Sequence, residues 1–283
     1  MKKILFGGAA VLSVMLLASA AGAQQVTTGY VGATYTDVQY SGGSANIYAA
    51  RAVGSFNVAK NTELQLDGDV ASVDTGIAGL GSQTVWGPTA HLFLDNGGFK
   101  GGAFVAYEDF KGANLTGYGL ETRFAASDNV SLGLIGGLGT ISVSGAKGSV
   151  DATTLRGEGS YFANDNLRFD ASIASFKLNP PGAGASITFT TYGLGGEWQM
   201  AKSPVSFVAG WEHATTSGSS SNSYSVGVRR TFGGSLKMRD RTSSPFNGGS
   251  TNYGGSLGTL FGSLLGSIID QCELQATVCN NGG

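Results

Sequence analysis

Ionisable residues two positions apart are the groups in this chain that could do chemistry. Asp67 and Asp69, Glu121 and Arg123, Arg156 and Glu158, and Arg168 and Asp170 all follow this spacing. In an extended strand, i and i+2 lie on one face. Such rows can line a conduit and set its ion selectivity, or lock neighbouring strands together. With a histidine they could do acid–base work. A catalytic nucleophile needs its base within hydrogen-bond reach. His213 is followed two residues later by Thr215 and His91 by Phe93, so neither has a serine beside it. Glu212 and His213 are adjacent and point to opposite faces. No enzyme is expected from these spacings. Gly193-Leu194-Gly195-Gly196 lies inside a strand pattern rather than at a helix start, a poor place for a phosphate loop. Cys272 and Cys279 have no nearby histidine and read as one local disulfide. No metal or cofactor is expected.

The elements that position these groups alternate apolar and polar residues with period two. Leu167, Phe169, Ala171 and Ile173 oppose Arg168, Asp170 and Ser172, and Val205, Phe207, Ala209 and Trp211 oppose Ser206 and Glu212. Polar turns interrupt the pattern at Ala59-Lys60-Asn61, Asp95-Asn96-Gly97-Gly98, Ser127-Asp128-Asn129, Asn164-Asp165-Asn166 and Ala201-Lys202-Ser203-Pro204. Their spacing leaves room for two long strands and a loop each time. The pattern predicts twelve strands at 28–39, 46–58, 62–73, 84–94, 99–110, 116–126, 130–142, 151–162, 167–178, 188–199, 205–215 and 223–232. Each has about the 9 to 11 residues a tilted membrane strand requires, or slightly more. The remaining connections are short and rich in Gly and Ser, so no long loop is expected to fold inward.

The chain opens as a secretory leader. Lys2 and Lys3 precede the apolar run Ile4–Ala20, and Ala21-Gly22-Ala23 fits a cleavage site, giving a signal peptide over 1–23. No later run reaches the ~18 to 20 apolar residues of a spanning helix. The 47 glycines follow no triplet rule, which excludes a collagen-like chain. Without the leader, 15 Lys plus Arg face 19 Asp plus Glu, so there is no basic footprint for nucleic acid.

An unpaired charge is costly in hydrocarbon, so the charged face must look inward. The candidate pore-lining set is Arg51, Glu63, Asp67, Asp69, Glu108, Glu121, Arg123, Arg156, Glu158, Arg168, Asp170, Glu197, Glu212 and Arg229, with His91 on the same face. Aromatics flank the apolar rows at both ends. Phe56, Phe99, Phe124, Tyr161, Phe169, Trp198, Phe207 and Phe232 cluster near the polar turns, and Tyr48, Trp86, Tyr107, Tyr118, Tyr192 and Tyr224 lie toward the opposite ends.

On these features, residues 24–232 resemble the Gram-negative outer-membrane β-barrels, especially porins. Tyr224-Ser-Val-Gly-Val-Arg-Arg-Thr-Phe232 looks like the terminal strand that the class presents to its assembly machinery. One departure is the 51-residue tail after Phe232, where such chains usually stop. The resemblance implies an all-β, up-and-down antiparallel transmembrane barrel in the outer membrane, in contact with its lipid. It also implies passive diffusion of small hydrophilic solutes or ions. The alternative is a non-conducting structural or adhesion barrel whose tail binds a periplasmic partner or self-associates.

The tail, 233–283, is expected in the periplasm. Residues 233–256 read as a linker carrying a basic knot at Lys237, Arg239 and Arg241. Leu257, Leu260, Phe261, Leu264, Leu265, Ile268 and Ile269 then recur at helical spacing, predicting a short amphipathic helix.

Overall fold

The computed structural model describes residues 27–242, apart from 42, 75–81, 111, 145–148 and 180–185. The leader, the disulfide expected at Cys272 and Cys279, and the helix expected beyond Leu257 lie outside the described residues.

Twelve strands form one closed barrel: β1 (Thr28–Tyr40), β2 (Gly43–Ala59), β3 (Thr62–Asp74), β4 (Ser82–Asp95), β5 (Phe99–Phe110), β6 (Ala113–Ser127), β7 (Val130–Val143), β8 (Ser149–Asn164), β9 (Leu167–Asn179), β10 (Ile187–Gln199), β11 (Val205–Thr216) and β12 (Ser219–Phe232). Each strand pairs antiparallel with its chain neighbours, and β1 closes on β12 from Gly29 opposite Phe232 to Tyr40 opposite Ser221. Closure leaves no unpaired edge, the condition for strands in lipid. Gly29 permits this seam: a Cβ there would lie 2.7 Å from the Phe232 ring.

The strand ends depart from the sequence reading mainly at the end away from the polar turns. β2 begins at Gly43 and β12 at Ser219, because Gly- and Ser-rich residues continue the ladder there (Tyr40 opposite Gly43, Thr216 opposite Ser219). Antiparallel pairing uses only backbone groups, so a weak strand composition does not stop it.

The wall is apolar outside. Leu92, Leu94, Val105, Leu120, Leu134, Leu155, Ile173, Leu194 and Val226 are all exposed on the outer face. At the polar-turn end, Phe99 faces Phe124, Tyr161 faces Phe169, and Trp198 stacks on Phe207 with centroids 5.9 Å apart. At the other end, Tyr48, Tyr118, Tyr192 and Tyr224 are exposed, and Trp86 packs on Tyr107. Two aromatic girdles bounding an apolar band are the outer surface of a membrane barrel. Phe56 departs from the girdle and is buried.

Beyond β12 the chain turns back. Gly233 and Gly234 take φ of +91° and +102°, a conformation that side chains with a Cβ rarely adopt. They lead into α1 (Leu236–Thr242), whose start is capped by Ser235 Oγ accepting from the Met238 N–H at 3.3 Å. The linker expected from residue 233 is therefore corrected over its first ten residues. Its basic knot is a helix turned under the barrel.

Candidate lumenal site

Side chains alternate along each strand, and the buried ones point inward. The structure places all fourteen candidate residues, and His91, on the inner face. Glu63, Asp67, Glu108, Glu121, Arg123, Arg156, Arg168, Glu197 and Arg229 are buried, and Arg51, Asp69, Glu158, Asp170 and Glu212 are half-buried. The lumen is filled in two layers of different chemistry.

The layer nearer the polar turns is ionic. Arg51 pairs with Asp67, and the Gln65 amide also donates to Asp67 at 2.7 Å. His91 Nδ1 lies 2.9 Å from Glu121 and its Nε2 lies 3.5 Å from Asp67. Arg123 donates to Glu158 at 2.7 Å and to Ser160 at 2.7 Å, and Ser160 donates to Asp170. Arg168 reaches Asp170 at 3.0 Å and Glu197 at 3.3 Å. Arg229 completes the belt, donating to Glu197 at 2.8 Å and lying 4.5 Å from the centre of the Tyr30 ring. Two of the same-strand pairs noted in the sequence interact, Arg168 with Asp170 and Arg156 with Glu158. Glu121 and Arg123 instead find partners on other strands.

Into the mouth of this belt fits α1. Leu236, Arg239 and Asp240 are buried. Asp240 forms an ion pair with Arg123 at 2.6 Å and accepts from the Ser131 hydroxyl at 2.6 Å. Arg239 lies 3.5 Å from Glu197, making a third cation on that carboxylate. Arg241 donates to Ser131 Oγ at 2.7 Å and to the carbonyls of Ser127 and Asp128, and Lys237 donates to Asn129. Burial alone would raise the Asp240 carboxyl, but Arg123 and the Ser131 hydroxyl outweigh burial and hold it below the ordinary carboxylate range. The helix thus brings cations to a wall whose candidate residues include nine carboxylates and five arginines. A cavity of about 1050 Å³ opens at the same rim, lined by Lys202, Pro204, Arg230, Phe232 and Ser235 among others, and contains none of the ion-paired residues.

The layer toward the opposite end is hydrocarbon. Phe104, Phe110, Leu115, Ile135, Phe176, Leu178 and Phe189 form one buried cluster, and Val38, Ala45, Ile47 and Val73 form a second. Leu115 and Val38 have no exposed surface. Here these side chains bury one another along the inner wall.

Sequence reasoning missed part of this. Lys100, buried beside Asp95 at 3.7 Å and the Asp240 carbonyl at 3.4 Å, follows Phe99 and is inward by simple alternation. Asp240 carried no signal, because its partners lie more than a hundred residues away.

The expectation that the chain is not an enzyme is withdrawn. It rested on what each histidine has beside it on its own strand. The barrel instead brings carboxylates to both nitrogens of His91 from other strands, so spacing along one strand does not decide the question. A solved structure of OmpT with loop L8 deleted, an outer membrane protein of Vibrio cholerae, is similar at 11% identity and TM-score 0.46, covering 74% of this chain and 100% of that one.

No family model and no curated protein matches the chain. Solved structures do. The KdgM porin in complex with disordered oligogalacturonate is similar at TM-score 0.50 and 15% identity, over 71% of this chain and 99% of that one. The COG4313 outer membrane channel from Pseudomonas putida F1 is similar at TM-score 0.58 and 8% identity, over 74% and 97%. At such identities the likeness is one of fold. The chain has the fold of the outer-membrane β-barrels, porins among them.

Proposed function

We propose that this protein is an outer-membrane channel for small hydrophilic solutes, held closed by its own C-terminal segment in the state described here. The observation that carries this reading is α1 seated in the lumen through ionic contacts. A barrel built only as a scaffold has no need of a charged helix fitted to its mouth. Ionic contacts at a solvent-facing mouth can exchange with water and salt, so the closure is displaceable. The usual outer-membrane arrangement puts short turns and both barrel ends in the periplasm, which places α1 and the tail there. The excess of inward carboxylates favours cations or neutral solutes over anions. Oligogalacturonate, the ligand of the similar KdgM porin, is a polyacid and is not carried over to this chain.

Proteoliposome swelling with a small neutral sugar tests the reading. Asp240→Lys places a cation against Arg123 and expels α1. We expect this variant to admit sugar several-fold faster than wild type. A folded variant that admits none would favour the second reading, a non-conducting barrel that attaches a partner through its tail. The hydrocarbon layer favours that alternative, because it narrows the bore beyond the reach of α1.

A further inference from the structure

One carboxylate in the hydrocarbon layer has no counterpart. Glu108 lies on the inner face of β5, two residues below the strand end and between Ala106 and Phe110. It is 4% exposed, sits opposite Leu115, and its Oε2 has no hydrogen-bond partner. The ladder sets Arg51 opposite Asp69 and Asp69 opposite Gly87. Gly87 permits close packing here: a Cβ on it would lie 2.9 Å from Glu108 Cγ, so the Glu108 side chain lies directly over Gly87. Arg51, the nearest cation in this row, is engaged by Asp67. Two carboxylates therefore converge over Gly87, against a wall that includes Phe104, Phe110 and Leu115.

A buried carboxylate without a cation is costly. The surroundings decide which cation fits. A hard metal ion takes six or more oxygen ligands, and among the described residues no group of three or more acidic, histidine or cysteine side chains is placed to hold one. An organic ammonium needs one or two carboxylates and an apolar body packed on hydrocarbon, and aromatic faces add cation–π attraction.

We infer that Glu108, with Asp69, forms a binding site at the loop end of the lumen for a small organic cation carrying an apolar or aromatic group. This names a substrate class for the channel and rests on that reading for its purpose. Binding is nonetheless measurable without conduction, so a closed barrel that binds would separate the two.

The test is calorimetric titration of the full chain, folded in detergent, with 2-phenylethylammonium and, in parallel, neutral 2-phenylethanol. The ammonium is expected to bind about tenfold more tightly or better. Glu108→Gln should bring the two ligands within about twofold. Asp109→Asn, which removes the same charge from the outer face of the same strand, should keep the preference. Equal binding of the two ligands by wild type, no heat from the ammonium at millimolar concentration, or a preference that survives Glu108→Gln would overturn the inference. If Glu108→Gln does not fold, the wild-type comparison of ammonium with alcohol decides.

Discussion

The two halves of the lumen are packed by opposite means. Near the polar turns, arginines and carboxylates interlock and admit α1 as one more partner. Toward the other end, phenylalanine and aliphatic side chains form the buried clusters, and Glu108 stands among them without a cation. The ionic half is specific, because each pair depends on geometry, and sensitive to pH and salt. The hydrocarbon contacts themselves depend on neither. A barrel packed in both ways can regulate passage at one end and filter by chemical type at the other.

The largest effect separating the halves should come from Glu197. It accepts from Arg229 at 2.8 Å and lies within 3.5 Å of Arg168 and Arg239. Glu197→Ala leaves buried guanidinium groups uncompensated and should cost about 3 to 5 kcal/mol, read by urea unfolding in detergent. A loss below about 1 kcal/mol would show that the belt is solvated rather than structural. In the hydrocarbon half, Leu115→Ala should cost about 2 to 5 kcal/mol, with no dependence on salt. A salt-dependent loss there would break the contrast.

The pH response of α1 is smaller and has a definite sign. Asp240 is depressed in the folded state, so its contribution is present above the ordinary aspartate range and is lost as pH falls through its lowered value. A spin label at the exposed Met238 should report a docked helix at neutral pH and a released one only under strong acid. Asp240→Asn should loosen it at every pH. The smallest effect is expected from Arg241→Ala. This side chain is partly exposed, and its loss should cost about 1 kcal/mol or less, measured as the same label's mobility.

Much of the wall was legible in the sequence. Alternation such as Leu167 to Ile173 marked strand and face together, and turns such as Lys60-Asn61, where Asn61 takes φ of 59°, marked the hairpins. The contents of the lumen were legible only in part. Alternation says that Glu121 points inward, but its meeting with His91 depends on side-chain reach across strands that the sequence does not order in space. Phe104, Phe110 and Phe176 were overlooked because an inner face was equated with a polar one. Around Phe104 the outer Ala103 and Val105 and the inner Ala106 make both faces apolar, which weakens the period-two contrast. The Gly/Ser/Asn-rich composition of residues 233–256 makes Gly233 and Gly234 read as part of a linker. Here they supply the left-handed turn that returns the chain to the barrel.

Single-channel recording in planar bilayers, with wild type beside Asp240→Lys, tests the claim of an ionic closure most directly. The account predicts silent or rarely open wild-type protein and discrete, frequent openings in the variant. Steady conductance from wild type, or silence from a variant shown to be folded, would contradict it.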